Sequence, residues 1–67
     1  MISYEEFVKM VEADLTPETF DFYKEEWGAE SPEGKSFIGT EYNNYKTGFK
    51  DLDTAINHAA SCISMQF

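Results

Sequence analysis

The first part of the chain places apolar residues three or four positions apart, with charged residues between them, which is the pattern of an amphipathic helix. The apolar positions are Tyr4, Phe7, Val8, Val11 and Leu15. Ser3 and Glu6 form the Ser-x-x-Glu pattern of a capping box, in which each side chain bonds the backbone amide of the other residue. The pattern predicts a first helix from about Tyr4 to Asp14.

A second helix is predicted from about Pro17 to Trp27. Thr16 is a good N-cap, and proline suits the first helical position because its missing N–H would have no partner there. Phe20, Tyr23 and Trp27 repeat at helical spacing and are expected to be buried. With so short a connection, we expect the two helices to pair as an αα-hairpin. Gly28 is the expected terminator, and the segment from Ala29 to Lys35 reads as a loop with a type I turn.

Residues 36–50 fit two patterns. A heptad rhythm continues into the last part of the chain through Ile38, Tyr42, Tyr45, Phe49, Leu52, Ile56, Ala59 and Ile63, which favours a long helix. Five poor helix formers oppose it: Gly39, Asn43, Asn44, Thr47 and Gly48. In a β-hairpin with Asn43-Asn44 as its turn, Tyr42 faces Tyr45, Thr40 faces Thr47 and Glu41 meets Lys46, which are favourable cross-strand pairs. The hairpin is the interpretation we adopt from sequence.

The last helix begins near Asp51 or Asp53 as the N-cap and has an apolar face through Leu52, Ile56 and Ile63. It is expected to fray before Phe67. The sequence therefore predicts one small α+β domain over residues 1–67, ordered helix, helix, β-hairpin, helix. The alternative is an all-α domain of three or four helices with a long C-terminal helix.

Charge is distributed unevenly along this sequence. Its net charge is −8, from 13 acids against five lysines and no arginine, and ten of the acids lie in residues 1–33. A protein that binds DNA or RNA directly would show a basic stripe, and so would one that binds an anionic membrane. The acidic half instead favours a basic protein partner, because a field of one sign speeds encounters with the opposite sign.

The acidic helices can present carboxylates about 5–6 Å apart, comparable to the spacing of phosphates along a nucleic-acid strand. This profile resembles that of small phage-encoded inhibitors such as anti-CRISPR proteins and DNA mimics, which implies a viral protein that blocks a nucleic-acid-binding partner. The expected partner-binding residues are Glu5, Glu12, Asp14, Glu18, Asp21, Glu25, Glu26, Glu30, Glu33 and the exposed aromatic Phe37. The alternatives are an acidic surface that only keeps the protein soluble, and a homodimeric regulatory subunit that hides Phe37 and Phe67.

Catalytic and metal-binding chemistry is not expected. His58 and Cys62 share a helix face, but a structural zinc site needs four ligands and the sequence has no second His or Cys. Cys62 lies late in its helix, where the dipole disfavours the thiolate a nucleophile requires. We therefore predict no enzyme activity and no cofactor. A lone cysteine and the absence of an apolar leader after Met1 favour a cytoplasmic location.

Overall fold

Four helices make up the part of the chain that the computed structural model describes, which is residues 1–27 and 37–66, without the side chains at 26 and 27. They are α1 (Tyr4–Ala13), α2 (Pro17–Trp27), α3 (Phe37–Lys46) and α4 (Leu52–Gln66). These two ranges contain no β-strand. The predicted α+β fold is therefore wrong, and the all-α alternative with four helices fits. The predicted loop between Ala29 and Lys35, its turn, the Gly28 terminator, the Trp27 side chain and Phe67 lie outside the described residues.

Local capping signals position the first two helices as the sequence predicts. At α1 the amide of Glu6 donates to Ser3 Oγ at 3.2 Å and the amide of Ser3 donates to Glu6 Oε1 at 3.3 Å, so the capping box is confirmed. At α2 the amide of Thr19 donates to Thr16 Oγ1 at 3.2 Å. These bonds satisfy amides at a helix start that have no partner within the helix.

The predicted β-hairpin is replaced by α3 and a Schellman C-cap. Gly48 takes a φ of 83°, its amide donates to the Tyr45 carbonyl at 3.1 Å, and the Phe49 amide donates to the Asn44 carbonyl at 2.9 Å. Those two bonds define the motif, with Gly48 in the left-handed position that glycine favours. Asn44, predicted to lie in the hairpin turn, therefore lies in the last turn of a helix, and the cross-strand pairs predicted from that turn do not form.

Burial of apolar side chains explains why residues 37–46 form a helix rather than the predicted hairpin. Ile38 and Tyr42 are buried, and Tyr45 packs half-buried against the core. Burying one such side chain stabilises the fold by about 1.5–3 kcal/mol. A glycine or asparagine inside a helix costs no more than about 1 kcal/mol. Three apolar residues on one helical face thus outweigh the poor helix formers between them.

α4 is the element on which the other helices pack. α3 makes its most extensive contact with α4, and α1 and α2 each pack on α4 more than on one another, so α1 and α2 do not form the closely paired hairpin expected from their short connection. The buried side of α4 alternates small and branched residues: Ala55, Ile56, Ala59, Ala60 and Ile63. Asp51 is its N-cap and accepts from the Thr54 amide at 2.7 Å; hydrogen bonds from Thr54 hold the pKa of Asp51 below its ordinary value.

Aromatic rings join α1 to α3. Tyr42 lies between Tyr4 and Phe7, with ring centroids 5.1 and 5.3 Å away and steep interplanar angles. Such edge-to-face pairs add about 0.5–1.5 kcal/mol to area burial. The Tyr42 hydroxyl donates to the Ile2 carbonyl at 3.2 Å, and the Ile2 amide donates to the Tyr45 hydroxyl at 2.9 Å. Tyr42 and Tyr45 thus pack on the core from a helix rather than from a strand.

Within the described ranges, no helix combines the length and the apolarity needed to cross a membrane.

Candidate functional site

One exposed face of α2 carries three of the predicted partner-binding carboxylates. Glu18, Asp21 and Glu25 occur at positions i, i+3 and i+7, so they share a side of the helix, and all three are exposed. Phe22 lies among them with 56% of its surface exposed. These four residues, which we call the α2 face, line a shallow depression together with Lys24. The α2 face therefore combines negative charge with one large apolar side chain that the core does not use.

Lys24 neutralises little of this charge. Its ammonium lies 3.9 Å from an Asp21 carboxylate oxygen, and both side chains are more than half exposed, so water screens the pair strongly. The same ammonium lies 5.1 Å from the centre of the Phe20 ring, which holds it to the side of the helix facing α1. Among the described side chains, no cation forms an ion pair with Glu18 or Glu25. The face keeps a negative potential towards solvent.

The other predicted acids lie on separate parts of the surface. Glu5 and Glu12 border a groove between α1 and α2 whose floor includes Tyr4, Val8 and Phe20. Lys9 and Lys24 also border that groove and balance its charge. Asp14 follows α1 and lies beside a groove formed by the outer side of α4. The predicted acids thus do not form a single row.

Phe37 is not the exposed aromatic that the sequence predicts. It opens α3, is half-buried against the core, and its ring stacks on Tyr23 with centroids 6.3 Å apart. The remaining predicted residues, the Glu26 side chain, Glu30 and Glu33, lie outside the described residues. Phe22 was not predicted as a site residue, because the helical spacing of Phe20 and Tyr23 accounts for the buried side of α2 without it. The sequence does contain a sign of its exposure: Phe22 lies four residues after Glu18, and therefore on the same side of the helix as that acid.

A second polar cluster lies between α3 and α4 and was not predicted. The Glu41 side chain is 7% exposed and faces inward from α3. Its Oε1 accepts from Lys50 Nζ at 2.8 Å and from Asn44 Nδ2 at 3.3 Å. Its Oε2 lies 2.5 Å from Nδ1 of His58 on α4. Three residues from three parts of the chain thus meet one buried carboxylate.

Two opposing effects set the protonation of Glu41. Burial acts to raise the pKa of its carboxyl, because a charge is less stable away from water. Hydrogen bonds from Lys50, Asn44 and His58, together with the charge of protonated His58, act in the other direction and outweigh burial. The pKa of Glu41 therefore lies below its ordinary value, and the carboxylate is ionised at neutral pH.

The contact of His58 with Glu41 determines which reactions or ligands the His58 ring can serve. Its ring is turned towards Glu41, while Cys62, one turn further along α4, is half-buried. In residues 1–27 and 37–66, no three His, Cys, Asp or Glu side chains are placed to hold a metal ion together. The cluster is an ion-pair network rather than a ligand set.

No protein-family model, no curated protein and no solved structure matches this chain. We therefore infer its function from the chemistry of the described surface.

Proposed function

We propose that this protein is a small acidic interaction module that binds a basic partner of the nucleic-acid-binding class and inhibits or modulates it, acting in the cytoplasm. The observation that supports the proposal is the α2 face, where three carboxylates at helical spacing surround an exposed phenylalanine. Carboxylates about 5–6 Å apart on a helix are comparable in spacing to phosphates along a nucleic-acid strand, which suits them to a cationic site. Phe22 supplies the apolar contact that interface anchors provide.

The test compares the wild-type chain with a triple variant, Glu18→Gln, Asp21→Asn and Glu25→Gln. Each chain is immobilised and exposed to lysate of the source cell at low and at high salt, and retained proteins are identified by mass spectrometry. We expect the wild type to retain a nucleic-acid-binding protein that salt and added duplex DNA release. We expect the triple variant to lose it. Retention that survives both high salt and the triple change would contradict the proposal.

A matched pair of single changes controls for net charge. Asp21→Asn and Asp53→Asn each remove one exposed carboxylate, but Asp53 lies in the first turn of α4 and does not belong to the α2 face. Asp21→Asn should weaken retention and Asp53→Asn should not. Equal weakening would show that total charge matters and the α2 face does not.

The homodimer is the second candidate, and fewer observations of the structure support it than support the inhibitor. Phe37, one of the two residues it would hide, is already half-buried on Tyr23. Sedimentation at micromolar concentration tests it: a tight dimer together with no retained partner would favour the regulatory subunit over the inhibitor.

A further inference from the structure

Nδ1 of His58 lies close to two groups and can bond just one of them. It is 2.5 Å from Oε2 of Glu41 and 2.8 Å from Nζ of Lys50. An ionised carboxylate only accepts and an ammonium only donates. With Glu41 ionised, Nδ1 must carry a hydrogen and donate it to Oε2. The contact with Lys50 then brings two donors together, and the neutral ring keeps its lone pair on Nε2.

The single negative charge of Glu41 thus has two candidate counter-ions. While the His58 ring is neutral, Lys50 balances the carboxylate at 2.8 Å. When Nε2 takes a proton from water, the ring becomes a cation that is hydrogen-bonded to the same carboxylate and lies 2.8 Å from the Lys50 ammonium. One carboxylate offsets a single positive charge, so the two cations repel each other at that separation and the repulsion favours moving one of them away.

Lys50 has the longer and more flexible side chain of the two cations, although it is the less exposed, at 20% against 52% for His58. The backbone of His58 belongs to α4 and its Nδ1–H already bonds Oε2, whereas Lys50 lies in the connection between α3 and α4 on a four-carbon side chain. We propose that protonation of His58 exchanges the counter-ion of Glu41: the imidazolium replaces Lys50, and the ammonium of Lys50 turns out to solvent. The exchange is a pH-dependent switch in the α3–α4 connection.

The groups that act on this carboxylate come from three elements. α3 supplies Asn44, the connection supplies Lys50 and α4 supplies His58. In the described part of the chain, α1 and α2 place no charged hydrogen-bond or ion-pair partner against Glu41. Phe49, next to Lys50, is 77% exposed. Acidification therefore adds a free cation beside an exposed aromatic ring, on a protein that is otherwise acidic.

Nuclear magnetic resonance tests the exchange on the intact chain between about pH 8 and pH 5, the range in which histidines titrate. His58 is the sole histidine of the sequence, so its ring nitrogens are identified without ambiguity. We expect Nδ1 to stay protonated throughout while Nε2 titrates. We expect the side-chain resonances of Lys50 to shift from a carboxylate-bound to a solvated position with the same midpoint.

Lys46 and a His58 variant provide the controls. The Lys46 ammonium lies 5.9 Å from the centre of the Tyr42 ring, and its resonances should not follow the His58 titration. In His58→Gln, Lys50 should remain bound to Glu41 over the whole range. A Lys50 signal that keeps its carboxylate contact through the titration in the wild type would overturn the exchange. A neutral ring that carries its hydrogen on Nε2 would overturn it equally.

Discussion

The buried hydroxyl of Tyr23 accepts a hydrogen bond from the backbone amide of Ile38 at 3.1 Å. Ile38 is the second residue of α3, where helix amides have no partner within the helix. A side chain of α2 therefore caps α3, across fifteen residues of sequence. This bond fixes where α3 begins relative to α2, and it explains why a tyrosine rather than a phenylalanine occupies this fully buried position.

Tyr23→Phe should lower the free energy of unfolding by about 1–2 kcal/mol, because it leaves a buried amide without this acceptor. The ring contacts with Phe20 and Phe37 are retained. Urea unfolding followed by far-ultraviolet circular dichroism measures the loss. Tyr45→Phe is the control: it removes the acceptor for the Ile2 amide near the chain start, where water can replace it, and should cost less. Equal losses would contradict a capping role for Tyr23.

The end of α3 gives a prediction that separates the helical fold from the hairpin. Gly48 has a φ of 83°, and an added Cβ would meet no atom within 4 Å. Gly48→Ala should therefore destabilise the protein through backbone strain alone, by about 1–2 kcal/mol. Gly48→Asn should cost less, because asparagine tolerates this conformation. The same urea titration compares the two, and an alanine variant as stable as the wild type would contradict the Schellman cap.

The correctly predicted helix starts and the wrongly predicted hairpin have different physical causes. Ser3 and Thr16 act on amides three residues away, so the starts of α1 and α2 could be predicted from short patterns. The Asn43-Asn44 pair suggested a turn because local propensity favours one. The deciding term was burial of Ile38 and Tyr42 against other helices, which the local sequence does not show.

In the candidate sites too, features set by spacing within one helix were predicted, and features set by packing between helices were not. The spacing of Glu18, Asp21 and Glu25 was enough to place them on one side of a helix. The meeting of Glu41 with Lys50 and His58 joins residues nine and seventeen apart. It depends on how α3 crosses α4, and no pattern within one helix predicts that crossing.

Acid should weaken the fold through Glu41. Because its pKa is lower in the folded chain than the ordinary value of 4.5, Glu41 contributes stability that is present above about pH 4.5 and lost as pH falls through the folded pKa. Glu41→Gln should cost about 1–3 kcal/mol at pH 7, since it removes hydrogen bonds to charged groups. It should also flatten the fall in stability between pH 5 and pH 3, as measured by urea unfolding at each pH.

The comparison variant for this experiment is Asp53→Asn, which removes an exposed carboxylate of α4. It should leave both the stability at pH 7 and the acid slope close to those of the wild type. A Glu41→Gln chain whose acid slope equals that of the wild type would show that the ionised carboxylate does not stabilise the junction between α3 and α4.

Phe22 and Phe49 are both exposed phenylalanines, and the proposed function assigns a role to just one. Phe22→Ser and Phe49→Ser should each change the free energy of unfolding by no more than about 0.5 kcal/mol, because neither ring belongs to the core. Phe22→Ser should nevertheless weaken retention of the basic partner at low salt, since the variant loses the apolar contact of an interface anchor. Phe49→Ser should leave retention unchanged. If the two variants behave alike in the retention assay, Phe22 is not an anchor and the α2 face acts through its carboxylates alone.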